Sequence, residues 1–150
     1  VKSTEAISIL SSRTAPKSTT GRFVVIEHPR AAGLPHVRSV ELRDGSERIA
    51  VATWTSSQNA DGVVKLLHVE VSEDKRRKGH GSAVFEEAIQ LAREELQKAG
   101  FKLRRVIAET EQKKQIVARS WLTHLGFHHV TTVKNTLVDQ DLLVYLLGCD

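Results

Sequence analysis

Methionine is absent from this chain, and cysteine and tyrosine occur once each, as Cys149 and Tyr145. A lone cysteine excludes an internal disulfide framework and fits a reducing compartment, so the expected location is cytoplasmic. Long apolar runs are lacking as well. The longest, LLVYLL at 142–147, is strand-sized and well short of the ~20 residues that span a bilayer, so no membrane partner is expected. The first residues lack the charged-then-apolar layout of a secretory signal. Charge of one sign is not dominant: 22 Lys and Arg against 18 Asp and Glu leave a net charge of +4. That excess favours an anionic ligand, but it does not by itself make a nucleic-acid surface, and no aromatic cluster offers bases a stacking platform. With 150 residues and only three prolines, the chain suffices for one domain with a proper core.

What is present is a dense basic loop, VSEDKRRKGHGS at 71–82, between an apolar strand and an amphipathic helix. A helix that starts this way offers unpaired N–H groups and the positive end of its dipole to a phosphate. Gly79 and Gly81 lack a Cβ and permit close backbone approach, while Lys75, Arg76, Arg77 and Lys78 add side-chain charge. A targeting tag would need neither the strand nor the helix start. The loop is not a nucleotide P-loop, for no Gly-Lys-Ser/Thr follows, and it lacks the GxGxxG spacing of dinucleotide folds.

Around this loop the pattern reads as alternating elements. Residues 1–21 form a loose arm or an edge strand, and the domain proper runs over 22–150. Residues 23–27 make a short strand. Alternating runs at 36–43 and 47–55 flank Asp44-Gly45 as a hairpin. Residues 63–71 are a strand and 79–99 a helix with Val84, Phe85, Ala88, Ala92 and Leu96 along one stripe. A strand at 103–108, a helix at 113–125 stopped by Gly126, and strands at 128–133 and 142–147 close the chain. Strand, helix, strand from 63 to 108 is a βαβ unit, so its strands should be parallel neighbours. The expected fold is α/β (α+β): a single-domain mixed, mostly antiparallel sheet with one central parallel pair and helices packed on it.

Arg76-x-x-Gly79-x-Gly81 resembles the Arg/Gln-x-x-Gly-x-Gly/Ala motif of the GNAT superfamily of N-acetyltransferases. A second block, Gln115-x-x-Ala118-x-x-Trp121-Leu122-x-x-x-Gly126-Phe127, is similar to that family's Asn-x-x-Ala-x-x-aromatic-Tyr-x-x-x-Gly-Phe. The resemblance implies a GNAT-like fold and acetyl-CoA as co-substrate, with no metal. It implies that the two parallel strands splay to admit the pantetheine arm, which bonds the strand backbone at Val69, Glu70 and Val71. The diphosphate would lie on the loop at Arg76, Arg77, Lys78, Gly79, His80, Gly81 and Ser82, and Gln115 would bond the cofactor arm. Two helices that family members usually carry between their first strands have no counterpart before Val40. The acceptor pocket should therefore be reduced, or completed by a partner.

Acetyl transfer to an amine needs a base for the ammonium proton and benefits from an acid at the departing thiolate. His68 and Glu70 alternate with Leu67, Val69 and Val71, so both lie on one face of a strand expected to be central and covered. They are the candidate bases, Glu70 ahead of His68. The structural alternatives are a core-bonded His68 and a solvated Glu70. Leu122 stands where the family has its tyrosine acid; Tyr145 is a substitute from another direction, or a core aromatic. Glu109 and Glu111 are further acceptor-side candidates. His124, His128 and His129 invite a zinc reading, but Gly126 should break the helical spacing between them, and no cysteine is near. The expected activity is transfer of acetyl from acetyl-CoA to a small-molecule or peptide amine. The alternatives are an acyl-CoA-binding regulatory module and, last, a nucleic-acid-binding domain. Leu142 to Leu147 would serve a homodimer or pack internally.

Overall fold

The computed structural model describes residues 8–14, 21–28, 36–56, 62–76, 78–111, 121–137 and 140–148. Eight strands form one sheet: β1 (Ser8–Thr14), β2 (Arg22–Glu27), β3 (Val37–Asp44), β4 (Glu47–Ser56), β5 (Val63–Val71), β6 (Arg105–Glu111), β7 (His128–Leu137) and β8 (Gln140–Gly148). Their order is β1-β2-β3-β4-β5-β6-β8-β7. Only β5 and β6 are parallel, and every other neighbouring pair is antiparallel. The mixed sheet with a central parallel pair is the architecture expected from the βαβ pattern. β3 and β4 form the hairpin at Asp44-Gly45, where Gly45 has φ 63° and Asp44 faces Glu47, as a two-residue turn requires.

The helix α1 (His80–Lys98) crosses from β5 to β6. Val84, Phe85, Ala88, Ala92 and Leu96 recur at helical spacing and are buried. They pack on β3, β4 and β5, whose inward residues include Val40, Leu42, Ala52, Trp54, Val64 and Leu66. Each large apolar side chain buried there contributes about 1.5–3 kcal/mol. An ion pair from Arg38 on β3 to Glu95 ties the far end of α1 to the sheet. Burial lowers the pKa of the Arg38 guanidinium, and Glu27 beside it opposes that shift.

Several boundaries differ from the sequence reading. The strand expected at 103–108 starts at Arg105 and runs to Glu111, because Leu103 is a core plug ahead of the ladder. Of the helix expected at 113–125, residues 121–124 are helical and 112–120, with Gln115, lie outside the described residues. Residues 8–14 form the edge strand β1, so the sheet extends into the segment before residue 22. The apolar strand at the end of the chain is internal: β8 has β6 on one side and β7 on the other, and buries Leu143 and Tyr145.

Candidate functional site

The register of the parallel pair defines the site. β5 and β6 align only from Val63↔Arg105 to Leu66↔Ala108. Beyond that point β5 continues to Val71 bonded to β4 alone, and β6 continues to Glu111 bonded to β8. The two strands therefore part company in mid-sheet, leaving one backbone edge of residues 67–71 without a strand partner. The cause is local. Trp54 faces Leu66 and Thr53 faces His68, so Leu67 is an extra residue, a β-bulge that bends β5 away from its neighbour.

The chain then turns through a short 3-10 segment, Glu73–Lys75, into α1. Gly79 is the N-cap, with φ 83° and ψ 5°, a left-handed conformation that favours glycine. A Cβ on Gly79 would meet nothing within 4 Å among the described residues. Among the described residues no side chain caps the helix, and no acidic residue stands in its first turn. Its first bond is Ala83 N–H to the Gly79 carbonyl at 3.0 Å. The amides of His80, Gly81 and Ser82 accordingly point out of the helix start without an acceptor among the described residues. Arg76 folds back, its Nε donating to the Val71 carbonyl at 3.1 Å, and pins the loop to the end of β5. Lys78 is exposed beside it, and Arg77 lies outside the described residues.

Gly81 corrects one expectation. A Cβ there would point inward, 3.4 Å from Val71 and 3.6 Å from Trp121, not toward an approaching phosphate. Its glycine lets α1 sit close to Trp121, whose ring meets Phe85 edge-on at 6.3 Å. His80, expected at the helix start beside the diphosphate, is buried, which the sequence reading does not anticipate. It is only 7 % exposed, and its Nδ1 is buried with no hydrogen-bond partner among the described residues. Burial lowers its pKa, and Lys78 and Lys75 push it the same way. Nothing in the sequence pattern flags it, since its burial depends on how the loop folds.

His68 and Glu70 share a face, as their alternation predicts, but that face is not covered at β5: their side chains are 55 % and 52 % exposed. The bulge is the reason. Leu66 faces α1, and after the extra residue Val69 and Val71 pack on the core while His68 and Glu70 turn to the opposite face. His68 Nε2 and Glu70 Oε1 are 3.5 Å apart, and Arg48 Nη2 lies 3.5 Å from the same oxygen. Tyr145 is elsewhere, 1 % exposed within the core cluster and 5.4 Å from the His129 ring. Leu122 is buried in that same core. Glu109 pairs with Lys65 at 3.0 Å. Among the described residues no three His, Cys, Asp or Glu side chains converge as a metal set.

The family model described as Acetyltransferase (GNAT) family matches residues 8–127. This chain belongs to the GNAT family. Its coarse activity is therefore acetyl transfer of the GNAT type, and the GNAT fold expected from the two motifs is the one observed. Solved structures agree on the fold. The ribosomal-protein-S18-alanine N-acetyltransferase from Escherichia coli is 23% identical, with 73% of this chain and 67% of that chain covered, at a TM-score of 0.56. An IAA acetyltransferase from Bacillus cereus is 12% identical over 75% of this chain and 78% of that one, with a TM-score of 0.61. A Bacillus subtilis acetyltransferase solved in complex with CoA is 16% identical over 76% and 78%, with a TM-score of 0.56. No curated protein sequence matches the chain. Among the described residues, the cleft combines a strand edge without a strand partner and a helix start without a side-chain cap, with a lysine beside it.

Proposed function

We propose that this GNAT protein transfers acetyl from acetyl-CoA directly to a primary amine in a ternary complex. The parting of β5 and β6 immediately beside the uncapped start of α1 carries this reading, because it puts a strand edge and a phosphate seat within one continuous cleft. Backbone groups of residues 67–71 hold the donor and supply N–H groups toward the thioester oxygen. The half-exposed carboxylate of Glu70 takes the proton that the acceptor ammonium must lose, with His68 beside it as the second candidate. The C–N bond then forms as the C–S bond breaks, and the second nitrogen proton passes through water to the departing sulfur, so that CoA leaves as the thiol.

Glu70→Gln should lower kcat by roughly 100-fold or more and remove the acid-side fall of its pH profile, while calorimetry shows acetyl-CoA binding intact. A normal rate with a normal pH profile would eliminate Glu70 as the base. A second reading, an acyl-CoA-binding regulatory module, is favoured by one observation: Leu122, at the family's tyrosine position, is buried in the core and offers no acid. Tight acetyl-CoA binding without turnover over a broad amine panel would select it.

A further inference from the structure

On the sheet face opposite α1, a groove runs from Glu70 and His68 on β5 across β4 and β3 to the end of β2. Two cross-strand rows make its floor: Ile26, Ser39, Thr53, His68 and, beside it, Glu41, Val51, Glu70. The floor is buried where it leaves β5, with Ser39 3 % and Glu41 7 % exposed. A chain of hydrogen bonds runs along the first row. His28 Nε2 and Ser39 Oγ are 2.8 Å apart, and Ser39 Oγ and Thr53 Oγ1 are 2.8 Å apart. Thr53 faces His68 on the next strand.

We infer that the acceptor is a linear amine with a single positive charge and an uncharged hydrogen-bonding group at its far end, and that His28, Ser39 and Thr53 read that end. The inference rests on the transferase reading above and specifies its substrate. The distribution of charge in the groove supports it. Glu41 is already neutralised: Arg43 Nε and Nη2 lie 2.7 and 2.6 Å from one oxygen, and Arg48 Nη1 lies 3.6 Å from the other. Glu70 meets Arg48 and His68 only at 3.5 Å and through the one oxygen Oε1, and its half-exposed carboxylate keeps Oε2 for an ammonium at the β5 end. Among the described residues the β2 end offers His28, Ser39, Ile26 and Val37 and no carboxylate. A second ammonium there would be desolvated without a partner, which disfavours diamines and polyamines. A neutral amide or hydroxyl suits the chain of hydroxyls, which reverses direction with the tautomer of His28 and so either donates or accepts. Two strand spacings separate His68 on β5 from Ser39 on β3, about 10 Å, roughly the reach of three extended residues.

The test is steady-state kinetics of the full chain at saturating acetyl-CoA with four probes. These are an uncharged tripeptide amide, N-acetyl-1,5-diaminopentane, 1,5-diaminopentane and butylamine. The expected result is a kcat/KM about tenfold higher for one or both neutral-ended probes than for the other two, and which of them leads tells a peptide source from a small molecule. Ser39→Ala and His28→Leu should each collapse that preference toward unity, through acceptor KM and not through the KM for acetyl-CoA. Preference for the diamine, or an unchanged preference in both folded variants, overturns the inference while leaving the transferase reading intact. Failure to acetylate any probe, with acetyl-CoA bound, overturns both.

Discussion

At the scale of single residues, the two glycines of the loop look alike in sequence and differ in space. Gly79 holds a left-handed φ where a Cβ would meet nothing within 4 Å among the described residues, whereas Gly81 faces Val71 and Trp121. Gly79→Ala should cost about 1 kcal/mol of stability and weaken acetyl-CoA binding measured by calorimetry, because the methyl strains the turn and enters the phosphate seat. Gly81→Ala meets ordinary contacts inside a helix, so it should leave the affinity alone and stabilise by about 0.5 kcal/mol in urea titrations. His80 adds a pH term. Its pKa in the folded chain lies below the ordinary histidine value, through burial first and then Lys78 and Lys75. The unfolded chain therefore binds more protons between that lowered value and about 6.5. Stability is fully present above the unfolded value and falls as the pH drops through that window. Urea titrations at stepped pH should show a shallower acid loss for His80→Gln than for the native chain; equal slopes would mean that the burial of His80 does not matter energetically.

At the scale of elements, β5 carries the consequence of one inserted residue. Without Leu67 the strand would alternate regularly, with Leu66 and Val69 toward α1 and His68 and Glu70 away. Deleting Leu67 should therefore keep the fold, and circular dichroism should show a cooperative melt. It should abolish acetyl-CoA binding, since the strand no longer bends from β6. Retained binding would show that the splay has another cause. The strands, α1 and the parallel pair were legible in sequence because periodicity and the Asp44-Gly45 turn specify them locally. The bulge was not, for Leu67 looks like any apolar strand residue and is extra only relative to Thr53 and Trp54 on β4. For the same reason the alternation put His68 and Glu70 together correctly but gave the wrong exposure. The hydrogen-bonded row from His28 to Thr53 was equally hidden, since it joins three strands whose register no single segment encodes.

At the scale of the whole molecule, the cleft predicts a selective thermal response. Acetyl-CoA at about 100 times its Kd should add about 2.7 kcal/mol, or roughly 5–10 °C in melting temperature, whereas ATP should add little. A flat melt with acetyl-CoA would contradict the assignment of the cleft. The same feature has a mechanical side. Five strands, β1 to β5, meet three, β6 to β8, through four residue pairs in the ladder, with α1 crossing between them and a shared core beneath. The free protein is in that sense two half-sheets stitched along a short seam, and those amides of residues 67–71 that face away from β4 should exchange with deuterium early. A pantetheine arm lying along that edge acts as a strand lent by the ligand. Acetyl-CoA would then complete the sheet as well as occupy it, and each release of CoA would unpick the protein at its weakest stitch.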